Sequence, residues 1–432
     1  MSRTVIQQQI NQWKGIYREY PSQFWTLIGA SFIDALGGAL LFPFFTLYIT
    51  AKFEIGMTKV GMIFGLLSVA SIVGNTIGGG LTDKIGRKGM VIFGLIASAF
   101  SVVAMGLVES LLVFVGITIF VGLFANAGGP ARQAMIADLL PEEKRAQGFG
   151  VFRVMHNLAV TMGPAIGGLL AAQSYLLLFL LDALASTITA VIVYLKLQET
   201  KPEPVDGEPS QSMLDTFRGY GRVLADSRFM IFFVATGLMV LVYTQMNGTL
   251  AVFLRDFHGI PERGFGYILS LNAGMVVLFQ FAITRRVEGK PPFLVLAAGT
   301  ALYAVGFGLY GLVSAYSFFL VAMAIITIGE MLTAPVGQSV AAQMAPDAMR
   351  GRYMAVYGFS WILPSAAGLY LAGLIMDNLD PRWVWYAAGL LALLPAAVFY
   401  LMHRRDALES AEEAAAALSS AQVAAEEAIR AA

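Results

Sequence analysis

The sequence has no cysteine and only three histidines, His156, His258 and His403. Without cysteine, the chain cannot form a disulfide, a thiolate nucleophile or a cysteine-ligated zinc site. The His-Glu-x-x-His pattern of metalloproteases and the Gly-x4-Gly-Lys-(Ser/Thr) phosphate loop are also missing from the sequence. We therefore expect no metal site, no cofactor and no enzymatic activity, and a polytopic membrane enzyme is the disfavoured alternative.

Charge is scarce as well, because only 13% of the 432 residues are charged whereas 57% are hydrophobic. A soluble protein carries about 25% charged residues. The 28 basic and 28 acidic residues cancel, so no basic excess exists to attract nucleic acid. The composition indicates that the surface of the protein contacts the lipid bilayer.

Long apolar segments are abundant. Three of them, 90–108, 293–312 and 383–402, contain no charged residue and are each long enough to cross a membrane as a helix. Nine further candidates carry a few polar residues: 24–49, 60–82, 111–137, 149–171, 175–195, 229–254, 264–284, 317–343 and 353–376. The predicted fold class is an all-α polytopic membrane protein with about twelve transmembrane helices.

The distribution of Lys and Arg among the loops predicts the orientation. If the N-terminus is cytoplasmic, five of the 28 basic residues fall on the outside, namely Lys52, Lys59, Arg255, Arg263 and Arg382. Cytoplasmic loops are enriched in Lys and Arg, so both termini are expected inside. The first 20 residues are polar and do not resemble a cleaved signal peptide. We expect a multi-pass protein of the plasma (inner) membrane.

An internal repeat relates the two halves of the chain at a shift of 205 residues. The matched pairs are Pro130 and Pro335, Gln133 and Gln338, Pro141 and Pro346, Arg145 and Arg350, Gly163 and Gly368, and Gly168 and Gly373. A shift of six spans preserves orientation, so this is a parallel repeat of the kind that builds transporters with alternating access. The expected organisation is a cytoplasmic segment 1–21, six-helix bundles 22–197 and 228–402, a cytoplasmic linker 198–227 and an Ala/Glu-rich cytoplasmic tail 403–432.

The loop after the second span reads GGGLTDKIGRKG, from Gly78 to Gly89. It resembles the signature loop of the major facilitator superfamily, Gly-x-Leu-x-Asp-(Arg/Lys)-x-Gly-Arg-(Arg/Lys). The resemblance implies that these residues, with a carboxylate at the end of span 4, latch the outward-facing state. The residues concerned are Gly79, Asp83, Gly86, Arg87, Lys88 and, as the carboxylate partner of Arg87, Asp138. Plain positive-inside charge is the alternative interpretation.

Span 5 contains GPAIGG, which comprises Gly163, Pro164, Gly167 and Gly168. The segment resembles the antiporter motif of the superfamily, and PARQAMIADLLPEEKR, from residue 130, resembles the twelve-span drug/proton antiporter branch. Ordinary tight helix packing would also explain the glycines. One departure concerns proton coupling, because Thr118 stands where many members of that branch have an arginine.

Two acids interrupt the apolar spans near mid-depth, Asp34 in span 1 and Glu330 in span 10. Intramembrane acids are costly, and they are functional candidates for that reason. The resemblance implies that spans 1, 4, 7 and 10 line a central cavity, which would also hold Arg132 and the span 7 residues Tyr243, Gln245 and Asn247. Each of these could instead make an ordinary interhelical contact; Asp182, in span 6, is interpreted as a structural partner.

The predicted function is secondary active transport, the proton-coupled efflux of a small apolar or amphiphilic, drug-like compound by alternating access. The expected partners are a small-molecule substrate, protons and lipid, and the resemblance implies a monomer. A uniporter, a symporter or a lipid-translocating exporter of the same fold is the alternative.

Overall fold

The computed structural model describes residues 20–201, 220–346 and 349–431. It does not describe the side chains of Asp83, Glu142, Glu143, Ala146, Arg350 or any residue after Glu412. Most of the predicted N-terminal segment 1–21 and of the linker 198–227 therefore lies outside the described residues. The predicted role of the Asp83 side chain in the latch also lies outside the described residues.

Among the described residues, twelve helices are long and apolar enough to cross a membrane, and the predicted fold class is confirmed. No strand occurs within the described ranges. Nine helices are continuous: α2 (Met57–Ile85), α3 (Arg87–Leu107), α5 (Glu142–Ala171), α6 (Tyr175–Lys196), α8 (Glu262–Val287), α9 (Pro292–Leu312), α10 (Tyr316–Met344), α11 (Arg350–Asn378) and α12 (Arg382–Ala431). Three are interrupted: α1 (Ser22–Leu41, Phe42–Phe44, Phe45–Phe53), α4 (Leu111–Phe120, Val121–Ala125, Gly128–Asp138) and α7 (Ser227–Tyr243, Gln245–Gly248, Leu250–His258).

The interruption of α4 is held in place by glycines of its neighbours. Residues Val121–Ala125 form a π-helical turn, a feature that is frequent near functional sites. A Cβ atom on Gly74 of α2 would lie 2.4 Å from the Gly122 carbonyl oxygen, and one on Gly94 of α3 would lie 2.9 Å from that of Ala125. Only glycine allows this close approach, so α2 and α3 fix the start of the segment that carries Arg132.

The chain divides into two compact units. The first comprises residues 1–210, 244–277 and 366–381. Within it, α1 packs against α5 and α6, and α3 packs against α6. A buried cluster that includes Phe24, Met90 and Met135 fills the space between these helices. The predicted six-helix bundles, 22–197 and 228–402, follow the order of the sequence, and this division stays a prediction.

Close contacts inside this first unit join parts of the two sequence halves. Gly168 of α5 meets Gly266 of α8, where a Cβ atom on Gly168 would lie 2.9 Å from the Gly266 Cα atom. At the start of α2, the backbone amide of Met57 donates to Asp377 Oδ1 at 2.9 Å. Glycine contacts and helix capping thus connect α5 with α8 and α2 with α11.

The second unit comprises residues 211–243, 278–365 and 382–432. Here α9 packs against α10 and α12, around the buried rings of Tyr310, Phe319 and Trp385. Gly299 and Gly329 let α9 and α10 approach, because a Cβ atom on Gly299 would lie 2.9 Å from the Gly329 carbonyl oxygen.

Candidate functional site

An ion pair occupies the middle of the first unit. Arg132 Nη2 of α4 lies 2.8 Å from Asp34 Oδ2 of α1, and the two side chains are 20% and 19% exposed. The hydroxyl of Ser186 on α6 donates to the other carboxylate oxygen of Asp34 at 2.9 Å. The structure therefore brings two predicted site residues together. A charge-assisted pair of this kind is stronger than a neutral hydrogen bond.

Helix α6 contributes a second carboxyl group beside this pair. Asp182 is only 7% exposed, and a Cβ atom on Gly37 would lie 2.9 Å from its Oδ1 atom. Asp182 interacts electrostatically with Asp34. From its sequence position alone, Asp182 is interpreted as a structural partner outside the predicted site.

A signal for this placement is present in the sequence. Asp182, Ser186 and Thr189 follow one another at helical spacing, so they form a polar stripe on α6. Thr189 donates to the carbonyl oxygen of Ala30 on α1 at 3.0 Å. The stripe therefore faces α1, the helix that carries Asp34.

The second unit contains a different polar cluster around Glu330 of α10. The Tyr243 hydroxyl donates to Glu330 Oε1 at 3.0 Å. Tyr303 of α9 and Thr333 of α10 share a hydrogen bond of 3.0 Å, and the rings of Tyr243 and Tyr303 lie 5.8 Å apart. Glu330 is thus surrounded by hydroxyl groups and aromatic rings.

The other predicted residues of span 7 belong to the first unit. Gln245 is buried, and its Oε1 atom accepts a hydrogen bond from the Thr249 hydroxyl at 2.5 Å. The backbone amide of Asn247 donates to the Thr244 carbonyl oxygen at 3.2 Å. The predicted role of both residues in a cavity is untested.

The predicted latch residues lie at one end of the first unit. Arg87 Nε lies 3.0 Å from Asp138 Oδ2, and the Lys88 ammonium donates to the Tyr194 carbonyl oxygen at 2.8 Å. Gly86, between α2 and α3, has a φ angle of 110°, which only glycine adopts readily. Nothing lies within 4 Å of a Cβ atom on Gly79. The structure brings Arg87 and Asp138 together, and their function as a latch stays a prediction.

A residue outside the motif completes this end of the unit. Glu199 accepts hydrogen bonds from the backbone amides of Arg87, at 2.8 Å, and of Lys88, at 3.1 Å, so it caps the N-terminus of α3. Partial burial disfavours its charge, but amides of Lys201, Arg87, Thr200 and Lys88 together hold the pKa of Glu199 below its ordinary value. Glu199 falls in the segment 198–227, predicted as a cytoplasmic linker, because nothing in the sequence of that segment signals a cap.

The predicted antiporter motif packs α5 against two helices. A Cβ atom on Gly163 would lie 2.5 Å from the Ala39 carbonyl carbon, and one on Gly167 would lie 2.4 Å from the Leu40 carbonyl oxygen. The Pro164 carbonyl oxygen lies 3.1 Å from the position of a Cβ atom on Gly266 of α8. These contacts explain why small residues stand here, whereas a role in antiport is untested.

No three His, Asp or Glu side chains in the part of the chain that the structure describes lie close enough together to hold a metal ion.

Comparison with known families identifies the fold. A model of the Major Facilitator Superfamily matches residues 27–334 and 291–431. The chain belongs to this superfamily. The twelve spans and the signature loop agree with this assignment.

Curated proteins similar to this chain are named as transporters of several kinds. A Na(+), Li(+), K(+)/H(+) antiporter of Planococcus maritimus is 29% identical over 81% of this chain and 87% of its own length. The uncharacterized MFS-type transporter YttB of Bacillus subtilis (strain 168) is 28% identical over 90% of this chain and 96% of its own. The multidrug resistance protein MdtH of Citrobacter koseri is 21% identical over 83% and 89%.

Solved structures of transporters share the fold. The nucleoside transporter NupG superposes with a TM-score of 0.75 at 15% identity, covering 88% of this chain and all of the other. A POT family transporter in complex with 5-aminolevulinic acid gives a TM-score of 0.72 at 17% identity, covering 89% and 96%. At such low identity the likeness concerns the fold and not the substrate.

Proposed function

We propose that the protein is a proton-coupled antiporter that exports a small amphiphilic compound by alternating access. It acts as a monomer in the plasma (inner) membrane, with both termini cytoplasmic, and it catalyses no covalent chemistry. The observation that carries the proposal is the ion pair of Asp34 and Arg132 inside apolar spans. Such groups are costly in a membrane and commonly mark ion or substrate pathways.

The polar groups around each acid support the proposal. Arg132 and Ser186 both donate to the carboxylate of Asp34, and such charge-assisted contacts hold a charged group inside the membrane. The aromatic rings of Tyr243, Tyr303 and Trp361 beside Glu330 suit a flat or cationic organic compound. A transporter that exchanges such a compound for protons needs both an ionisable site and an apolar one.

A second candidate function is exchange of alkali cations for protons. It is favoured by the 29% identical relative named as a Na(+), Li(+), K(+)/H(+) antiporter. It is also favoured by the two carboxyl groups of Asp34 and Asp182, since carboxylate oxygens are the ligands that hard cations prefer. The two candidates share the proton and differ in the exchanged cargo.

Everted membrane vesicles loaded with a pH-sensitive dye test the proposal. After energisation, tetraphenylphosphonium is added to one sample and sodium, lithium or potassium salt to others. We expect the organic cation to release protons from wild-type vesicles, with Asp34→Asn abolishing the release. Glu109→Gln, at an exposed residue between α3 and α4, serves as the control acid and should behave as wild type.

The outcomes separate the candidates. Release on addition of alkali salts alone would replace drug efflux by the second candidate. No release with either kind of cation, from vesicles shown to contain the protein, would contradict proton coupling and leave a uniporter or a lipid-translocating exporter. Release that survives Asp34→Asn would remove the ion pair from the coupling mechanism.

A further inference from the structure

Helices α1 and α6 bring two carboxyl groups to one place in the membrane. The contact is possible because residue 37 is glycine, where a Cβ atom would lie 2.6 Å from the Cβ atom of Ala185 and 2.9 Å from Asp182 Oδ1. Asp34 lies one turn before Gly37 on the same helix, and it interacts electrostatically with Asp182. The two acids therefore belong to one polar site, although they lie 148 positions apart in the sequence.

The carboxylate of Asp34 has both of its oxygens occupied. Arg132 donates to Oδ2 at 2.8 Å, and Ser186 donates to Oδ1 at 2.9 Å. Donors on both oxygens favour the ionised form of a carboxyl group. In this conformation Asp34 is the counter-ion of Arg132.

The carboxyl group of Asp182 has no such support. Within the described ranges of the chain, no group donates a hydrogen bond to it and no cation pairs with it, although the residue is only 7% exposed. An isolated carboxylate is very unfavourable in such a place, and a neutral carboxyl group is not.

The ionisable groups around Asp182 are few. Helix α1 supplies Asp34, which interacts with Asp182 and is itself paired with Arg132 of α4. Helix α5 supplies His156, which interacts electrostatically with Asp34 and Arg132. The part of α3 from Gly89 to Leu107 contains no ionisable residue. Asp34 and Asp182 share the positive charge of Arg132, so only one of the two acids can be ionised if that charge is to balance it.

We propose that Asp182 is the residue that binds and releases the coupling proton, while Asp34 stays ionised as the partner of Arg132. This inference rests on the proton-coupled transport proposed above and names the titrating group. A cation that enters the site supplies the balancing charge, so Asp182 releases its proton to water. When the cation leaves, Asp182 takes up a proton again, and this alternation gives the exchange of one positive charge for another.

Infrared difference spectroscopy of the purified protein, recorded between mildly acidic and mildly alkaline solution, tests the protonation of Asp182. We expect a carbonyl band of a protonated carboxyl group in wild type that is lost in Asp182→Asn. Asp182→Glu should shift this band, and Asp34→Glu should leave it in place. Each Glu variant adds one methylene group to an acidic side chain of the same site and keeps its carboxyl group. These variants therefore still test the assignment if Asp182→Asn fails to fold.

A band that persists in Asp182→Asn, or that shifts in Asp34→Glu but not in Asp182→Glu, would overturn the inference. Transport supplies a second readout, with tetraphenylphosphonium as the probe. Asp182→Asn should abolish proton release, whereas Asp182→Glu, which keeps a carboxyl group at this position, should retain it. Loss of proton release in Asp182→Glu as well, in a protein that still folds, would indicate a structural role instead.

The failures of the two proposals can be told apart. If wild-type vesicles release no protons, the proposed function fails whatever the infrared spectra show. If wild type releases protons and Asp182→Asn does so equally, the proposed function stands and the assignment of Asp182 is wrong.

Discussion

The two halves of the chain repeat one helical pattern, but the partners of their intramembrane acids differ. In the first half, Asp34 pairs with Arg132 at 2.8 Å. In the second, Glu330 accepts a hydrogen bond from Tyr243 at 3.0 Å. The position 205 residues after Arg132 is Gly337, so the repeat does not reproduce the arginine. The repeated sequence thus preserves helix packing, and the charge chemistry of the two halves has diverged.

The loops at the end of the second span of each half differ in the same way. Arg87 pairs with Asp138 in the first half. The residue 205 positions after Asp138 is Gln343, whose amide donates to Ser339. The residue 205 positions after Arg87 is Pro292, so the repeat reproduces neither partner of this ion pair. Arg285, in the last turn of α8, stands over the ring of Phe281, 5.7 Å from its centroid.

The largest expected effect comes from removing the partner of each acid. Arg132→Gln leaves Asp34 without its cation, and breaking a buried ion pair costs about 3–5 kcal/mol, with the lower value apt for side chains that keep some exposure. Tyr243→Phe removes one hydrogen bond, worth about 1 kcal/mol. Thermal unfolding of the purified variants in one detergent, at one scan rate, should therefore show the larger drop for Arg132→Gln.

A double variant sharpens this difference. Asp34→Asn combined with Arg132→Gln leaves neither charge unpaired, so we expect it to recover most of the lost stability while proton release stays absent. Equal destabilisation by Arg132→Gln and Tyr243→Phe would show that Arg132 stabilises Asp34 no more than Tyr243 stabilises Glu330.

The latch residues should respond next. Arg87→Gln removes a charge-assisted contact at a side chain that is 12% exposed, and hydrogen bonds to charged groups contribute about 1.5–3 kcal/mol. We expect a clear fall in unfolding temperature and in transport rate. Arg285→Gln, in the last turn of α8, removes a positive charge from the second half; it is the control and should differ little from wild type. A similar loss in both variants would mean that positive charge, and not the pair with Asp138, is what matters.

The packing glycines should behave alike in both halves. Gly163→Ala in α5 and Gly373→Ala in α11 each place a Cβ atom about 2.5 Å from backbone atoms, of Ala39 and Met57 respectively. Overpacking of this kind costs about 1–3 kcal/mol. The expected result is a similar loss of thermal stability for both.

Each packing variant has a control on its own helix. Nothing lies within 4 Å of a Cβ atom on Gly150 of α5 or on Gly358 of α11. Alanine at these positions should be neutral or stabilising by about 0.5–1 kcal/mol, because glycine is the poorer helix former. Loss of stability in only one of the two packing variants would show that the halves differ in packing as well as in charge.

Much of the fold could be predicted from the sequence, because the length of the apolar spans and the internal repeat are both visible in it. The contact between Arg87 and Asp138 was also accessible, through the resemblance of the loop to a known motif. The position of Asp182 was not, because it depends on the close approach of α1 and α6 at Gly37. Glu199 was missed for the same reason: its partners are amides 111 and 112 residues away, and a capping distance is set by tertiary structure.

The smallest expected effect concerns the start of the third span in each half. Glu199 caps α3 in the first half, whereas α9 begins with Pro292, which lacks an amide to cap. Glu199→Gln removes a negative charge from a helix N-terminus, an interaction worth about 0.3–1 kcal/mol. Because the folded-state pKa of Glu199 is lowered, its stabilisation is complete above the unfolded-state pKa. It disappears as the pH falls through the folded-state value. Unfolding temperatures of wild type and Glu199→Gln should therefore differ at neutral pH and converge in acid; a difference that stays constant with pH would assign the effect to packing.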